Sequence, residues 1–484
     1  MPQKKNNSKQ TKVSAERNGD KPQNAYFLSL RLENIRCFGE RQKIKFSDNE
    51  GKPKQWTIIL GDNGTGKTTL LQCLVALLPF YNSVEIDKNA EKFIAPKDSF
   101  RERGLTWGVP PIIKSKVSTL PFNLEGNFSI QQSLTTKSAE NFELGVKSLS
   151  HALHILEVTT LTDISIGVNC FAFGASRKAG ETSLSESNDD SEYATLFDET
   201  VLLINPEEWL LQADYFVSRS SAKKSKEDFR RVKNILISVL PDVDNIRFSE
   251  KNIEEKSFPI PVVEFHTPYG WVESKDLSLG YRTSMAWIVD FVSRMFDRYP
   301  ESENPLAEPA VVLIDEIDLH LHPKWQRELI DYLTNLFPNT QFIVTTHSPL
   351  IVQAAAARNA NIVVCRRDGD HVVINQSVEA VRNWRTDQIL TSDLFDLPTD
   401  RAKDIEPLLE ERRKILSKAK LTQKDEKRLE ELEKEIGAVP VMENPKYDEA
   451  MDIILRAAEK LGKENGVSND SHKKTSKNPT NSKR

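Results

Sequence analysis

At 484 residues, with 38% hydrophobic and 28% charged positions, the chain is long enough for about two to four folding units and reads as a soluble globular protein. A net charge of -5 excludes a global pull toward nucleic acid or acidic membranes, so any such contact must come from a local patch. Cys37, Cys73, Cys170 and Cys365 lie far apart in apolar or strand-like segments without CxxC spacing, which predicts buried thiols in a reducing compartment and neither disulfide nor zinc.

Residues 1–24 carry six Lys/Arg against two Asp/Glu and hardly any large apolar group, so they are expected to be a disordered tail, as are residues 464–484. The N-terminus is too polar for a signal peptide, and no apolar run reaches the roughly 18 residues that span a bilayer. The expectation is therefore a cytoplasmic protein without membrane contact. FLSLRLENI and QKIKF alternate as strands do, and WTIIL is an apolar strand that runs into GDNGTGKT and an apolar helix ending near Leu78. An irregular segment over 86–125 precedes strands at LHILEV and SIGVNCFAF, and the Gly, Ser and Asp content of GASRKAGETSLSESNDDSEYA predicts a mobile loop.

Helices follow in PEEWLLQADYFVSR and KEDFRRVKNILISVL, then a strand pair at PIPVVEF and GWVES. The second half alternates strand AVVLIDE, a helix from Pro323 to Leu336, strand QFIVTTH and a helix from about Pro349, as a parallel sheet flanked by helices requires. HVVIN reads as an edge strand. From 401 to 437 apolar residues ride on dense charge, with Thr422 and Asp425 spaced as a capping box, which predicts an antiparallel helical hairpin; one more helix is expected through EAMDIILRAAEKL. The expected organisation is an α/β head over 25–365 with an inserted irregular and helical segment at about 86–245, then a helical region over 366–463.

GDNGTGKT matches the phosphate-binding pattern GxxxxGK[ST] at every defined position, between the strand and helix that the pattern needs. Gly61, Gly64 and Gly66 let the backbone curl so that the N–H groups of Asp62, Asn63, Thr65 and Thr69 can turn toward phosphates at the positive end of the helix. Lys67 is placed for the β and γ phosphates of a nucleoside triphosphate, and Thr68 offers its hydroxyl to Mg2+. AVVLIDE ends in adjacent carboxylates at the mouth of a parallel sheet, where Asp315 can hold Mg2+ and Glu316 can polarise the attacking water. His347, at the end of QFIVTTH, is placed to sense the γ-phosphate. His320 and His322 lack an apparent third ligand and are read as positioning groups or dimer contacts. Ser278 and Gly280 in LSLGYRT stand just before a helix, where a hydroxyl, N–H groups and the helix dipole converge on an anion; a plain N-cap reads Ser278 equally well.

Taken in order, GDNGTGKT, LSLGY, LIDEIDLHLHP and VTTHSP resemble the ATPase heads of the ABC superfamily, above all its soluble branch of RecF, the structural-maintenance-of-chromosomes (SMC) proteins and the overcoming-lysogenization-defect nucleases. The resemblance covers about 27–80 and 270–357. It implies an ABC-type P-loop NTPase head with an antiparallel β subdomain, Arg36 of LRLENIRCFGE approaching the nucleotide, and a homodimer or higher oligomer in which Ser278 and Gly280 reach ATP held by the other copy. LSLGY departs from the transporter signature LSGGQ at Leu279 and Tyr281. FGASR is similar to a motif of defence-type ATPases, although Gly174 and Arg177 read equally well as a turn and a surface charge.

The C-terminal passage SDLFDLPTDRAKDIEPLLEERRKILSKAKLTQKDEKRLEELEKEIGAVP resembles the ATPases of Septu and retron antiphage systems, which accompany small HNH nucleases. That resemblance implies an ATPase controlling a separately encoded HNH-type effector, with DNA or tRNA reached through the complex. The chain carries neither a TOPRIM acidic cluster after His347 nor an HNH arrangement, so it is not expected to be a nuclease itself. The alternative is a RecF/SMC-like DNA-repair ATPase that contacts a duplex through Lys223, Lys224, Lys226, Arg230, Arg231 and Lys233.

Overall fold

The computed structural model describes residues 23–78, 123–130, 134, 140–149, 152–156, 166–180, 192–252, 259–376, 381–395, 397, 404–418 and 422–436. The expectations for the tails, for most of the irregular segment, for the tip of the Gly/Ser/Asp loop and for the last helix lie outside them. Contacts divide the chain into two compact units, Met1–Asp396 and Leu397–Arg484.

The first unit opens with β1 (Gln23–Glu33) and β2 (Gln42–Lys45), followed by β3 (Trp56–Gly61) and α1 (Lys67–Ala76). Next come β4 (Asn123–Ile130), β5 (Glu140–Leu149), β6 (Ala152–Leu156), β7 (Ile166–Gly167) and β8 (Cys170–Phe173). Helices α2 (Pro206–Arg219) and α3 (Lys223–Val239) lead to the antiparallel trio β9 (Asn245–Lys251), β10 (Ile260–Thr267) and β11 (Gly270–Glu273). Then α4 (Leu279–Arg298), β12 (Ala310–Ile314), α5 (Pro323–Leu336), β13 (Thr340–Thr345), α6 (Pro349–Ala357), β14 (Asn361–Asp368), β15 (His371–Asn375) and α7 (Thr386–Leu390) complete it.

Among the described residues the central sheet runs β15-β14-β3-β13-β12-β8. It is parallel except for β15, the edge strand read from HVVIN. Side chains alternate between its faces, as the two-residue strand period demands. Trp56, Ile58, Leu60, Val312, Ile314, Phe342 and Val344 join one core with α3, α4 and α5. Ile59, Val311, Leu313 and Ile343 join a second core with α1 and β1. Both faces are dry, which is why AVVLI is apolar throughout and shows no alternation. Trp56 stacks on Phe342 with ring centroids 4.3 Å apart.

The antiparallel sheet runs β2-β1-β4-β5-β6, with β7 pairing with β1. Gln341, fully buried on β13, fastens it to the central sheet: its amide accepts from the Phe27 N–H and donates to the Phe27 carbonyl, each at 2.9 Å, beside the bulge in β1. Two expectations change here. Strands β4, β5 and β9 were not foreseen, although ENFELGVKSL does alternate Phe142, Leu144 and Val146. Nor is 86–245 simply an insertion, because β8 lies within it and pairs with β12. The sheet also continues past 365 through the rest of β14 and β15.

In the second unit, α8 (Glu406–Leu416) and α9 (Gln423–Ile436) pack against each other, joined by Arg428 and Glu411 at 2.8 Å. The Thr422 N–H donates to Asp425 Oδ2 at 3.0 Å and the Asp425 N–H to Thr422 Oγ1 at 3.3 Å, the reciprocal pattern of a capping box.

Candidate nucleotide-binding site

The apolar strand β3 carries the chain to the C-terminal edge of the central sheet and ends at Gly61. Gly64 and Gly66 adopt φ of +80° and +81°, which L side chains rarely tolerate. A Cβ on Gly66 would meet Cys37 Sγ at 2.5 Å and the Phe38 ring at 2.8 Å, so the loop is wedged under the turn after β1. Gly66 is also the N-cap of α1 and supplies no side-chain cap, leaving first-turn N–H groups for an anion.

Lys67, only 7% exposed, folds back so that Nζ donates to the carbonyls of Gly61 at 2.9 Å and Asp62 at 3.0 Å. Burial lowers its pKa below that of a free lysine, against the opposing pull of Asp315, Cys365, Glu316 and Asp62.

The second wall is the end of β12. The buried Asp315 is held on three sides: its N–H donates to the Phe173 carbonyl at 2.9 Å, Oδ2 accepts from Thr68 Oγ1 at 2.6 Å and Oδ1 from Thr345 Oγ1 at 2.6 Å. Thr345 also accepts the Glu316 N–H at 2.7 Å. Glu316 sits at φ +52°, a left-handed conformation costly for a residue with a Cβ. A cleft of about 350 Å³ lies between the walls, lined by Arg36, Cys37, Asn63, Gly64, Gly66, Lys67, Thr68, Thr69, Asp315 and Glu316. A hydroxyl and a carboxylate already in contact, at the foot of a loop of N–H donors and an ammonium, suit a triphosphate with a hard divalent cation.

The structure thus gathers Arg36, the phosphate-binding loop and both carboxylates. Arg36, at φ +50°, donates through Nη1 to Thr69 Oγ1 at 3.2 Å and Gln72 Oε1 at 3.3 Å. Ser278, Gly280 and His347 are not among the residues lining this cleft. Ser278 occupies the N-cap position of α4, exposed and without a side-chain cap bond, so the capping role does not use its hydroxyl. Gly280 has an explanation within the chain: a Cβ there would lie 2.3 Å from the His320 carbonyl oxygen. His347 stands two residues beyond β13, exposed, with its N–H 3.4 Å from Asp318 Oδ1. His322 caps α5, Nδ1 accepting the Lys324 N–H at 3.2 Å. Among the described residues no group of His, Cys, Asp and Glu could hold a metal by itself.

One residue was missed, and two were left between two readings. Thr345 drew no attention because a threonine in an apolar strand is ordinary, yet its hydroxyl joins Asp315 to Glu316. Arg177 is no surface charge, being 1% exposed, and Gly174 is more than a turn residue, since a Cβ there would lie 2.1 Å from the Thr195 carbonyl.

A phosphate-binding loop at the end of a parallel strand, faced by the carboxylates that follow the next strand but one in the same sheet, defines a P-loop ATPase. Residues 57–353 match the family described as "AAA domain, putative AbiEii toxin, Type IV TA system", and the chain belongs to it. Its relatives include a retron Vc95 probable ATPase of Vibrio cholerae serotype O1 biovar El Tor, 26% identical over 69% of this chain and 73% of that protein. The Septu protein PtuA of Bacillus mycoides (strain KBAB4) is 25% identical over 85% of this chain, and the match spans 51% of that protein. A solved SMC head bound to the C-winged helix domain of ScpA covers 73% of this chain and 98% of its own, at 16% identity and a TM-score of 0.40, too loose for residue correspondences. No described helix is long and apolar enough to cross a membrane.

Proposed function

We propose that this chain is the ATPase subunit of an antiphage defence complex, in which two copies close on ATP and control a separately encoded HNH-type nuclease. The observation that carries the hydrolytic part is the linked set Thr68–Asp315–Thr345–Glu316, which ties the phosphate-binding loop through the Asp315 carboxylate to the Glu316 backbone N–H by hydrogen bonds of 2.6–2.7 Å. Similarity to the retron and Septu proteins supports the defence role.

In this reading the N–H groups at the start of α1 and Lys67 bind the triphosphate, and Lys67 exchanges its two loop carbonyls for phosphate oxygens. Thr68 and Asp315 hold Mg2+, which would neutralise phosphate charge. Glu316 orients and polarises the attacking water. His347 reports on the γ-phosphate, and Ser278 and Gly280 of one copy complete the pocket of the other, so that ATP closes the pair and hydrolysis releases it. The spare hydroxyl of Ser278 at an exposed helix start supports that assignment. DNA or tRNA would be met by the complex.

The test is Glu316→Gln. It should bind Mg-ATP with near wild-type affinity, hydrolyse it at least about 100-fold more slowly and accumulate as an ATP-dependent dimer in light scattering. Wild-type turnover, or a monomer at saturating Mg-ATP, would end the reading. The DNA-repair alternative draws less support, since Arg230 and Arg231 on α3 pair with Glu227 and Arg231 also with Asp228.

A further inference from the structure

Arg177 is almost wholly buried, and among the described residues only one of its donors has a partner. Nη2 donates to the Glu316 carbonyl at 2.8 Å, while Nε and Nη1 have no hydrogen-bond partner. Burial draws the guanidinium down from its usual 12.5 to about 10, with Asp315, Asp318 and Glu316 pulling the other way, so it remains a cation at neutral pH. A buried cation with spare donors is expensive to keep for packing alone, because an apolar side chain of similar volume would fill the space without that desolvation.

Arg177 reaches Glu316 from the neighbouring strand. β8 runs beside β12 with Phe173 opposite Ile314, and the chain then turns at Gly174, close against the Thr195 carbonyl. Glu316 itself is clamped on both sides: its N–H is taken by Thr345 Oγ1, and its carbonyl by Arg177 together with the Leu319 N–H at 3.0 Å, so that Arg177 adds a side-chain hold to the turn's own backbone bond. Its φ of +52° would relax in a peptide left free, carrying the side chain elsewhere. Glu316 lines the cleft and Arg177 does not.

We propose that Arg177 is a positioning residue for ATP hydrolysis: it holds the Glu316 peptide in the left-handed turn that aims the carboxylate into the cleft, and so governs turnover and not nucleotide affinity. This rests on Glu316 acting on the water. The test is steady-state hydrolysis by the full chain carrying Arg177→Met, Arg177→Lys, Glu316→Gln, and each Arg177 change combined with Glu316→Gln. Arg177→Met should lower kcat by more than about tenfold while KM for Mg-ATP stays within about threefold, and Arg177→Lys, which keeps the charge and one donor, should recover part of the loss. In the double variants the Arg177 change should add nothing to the effect of Glu316→Gln, because it acts through that side chain.

A further slowing in the double variant, a rise in KM matching the fall in kcat, or wild-type turnover in Arg177→Met would overturn the proposal while leaving Glu316 in place. Wild-type turnover in Glu316→Gln would overturn both. Should Arg177→Met fail to fold, Arg177→Lys carries the same kcat-against-KM comparison and the same cycle.

Discussion

The cleft and the helical hairpin are both built from charged residues, but they hold charge in opposite ways. Lys67 and Asp315, which line the cleft, and Arg177 behind it are 7%, 5% and 1% exposed. Each is held by main chain or by threonine hydroxyls, and no direct ion pair joins them among the described residues. In the hairpin Arg428 is half-exposed and holds three carboxylates, those of Glu411, Glu431 and Glu435. Ion pairs at a surface are screened and contribute little, whereas buried charges held by a few donors are sensitive to every partner. What sets the charges around the cleft apart is burial with main-chain and hydroxyl partners in place of ion pairs, not the number of charges nearby.

The largest break in that contrast should come from Lys67→Ala. It removes the ammonium at the foot of the loop, and Mg-ATP affinity by calorimetry should fall about a hundredfold or more, near 3 kcal/mol. Affinity within about threefold of wild type would mean that the α1 N–H groups bind the triphosphate unaided. Next is Thr345→Val, close in shape but without the hydroxyl. It strands the Asp315 Oδ1 and the Glu316 N–H, so we expect about 1–3 kcal/mol less stability in urea unfolding and a lower kcat, with Thr345→Ser near wild type. Equal stability and turnover in the valine variant would show that water replaces the hydroxyl.

A smaller effect follows from the lowered pKa of Lys67. The folded chain then holds fewer protons on this group than the unfolded one over the window between the lowered value and the usual 10.5, so its contribution to stability rises with pH there. Phosphate binding favours the ammonium and has the opposite sign: Mg-ATP affinity should fall as pH rises through that window, with proton uptake seen as a buffer-dependent calorimetric heat. Loss of that uptake in Lys67→Ala would assign the proton to this residue, and its persistence would assign it elsewhere.

The same contrast explains what could be read in advance. The phosphate-binding loop was legible because glycines at positive φ and an adjacent lysine are demanded by local backbone geometry, so their spacing survives in the sequence. The carboxylates after β12 were legible because two acids at the end of an apolar strand, common in isolation, follow a phosphate-binding loop upstream in the same chain. Thr345 and Arg177 were not legible in that way. Each matters through a partner far along the chain, Asp315 for one and the Glu316 carbonyl for the other; FGASR singled out Arg177 as a motif residue without naming that partner, and nothing beside Thr345 records its contact. Strands β4 and β5 escaped notice for a different reason: Gly126, opposite Leu144, and Gly145, opposite Glu125, weaken a strand pattern that only the pairing of β4 with β1 and of β5 with β4 makes coherent.

The smallest effect is expected in the hairpin. Asp425 accepts from Lys418 and from the Thr422 N–H and hydroxyl, which lowers its pKa from 3.8 to about 2. A depressed acid adds stability above its unfolded value and loses it as pH falls toward the folded one, so the capping box should open between about pH 4 and 2. Asp425→Ala should bring that opening to neutral pH, speeding amide exchange in the first turn of α9, and Arg428→Ala should leave the thermal midpoint within error of wild type. Neither should alter kcat or KM for Mg-ATP. A change in turnover from either would make the hairpin's charges part of the ATPase cycle, and the distinction between the main-chain-held charges around the cleft and the ion-paired charges of the hairpin would fail.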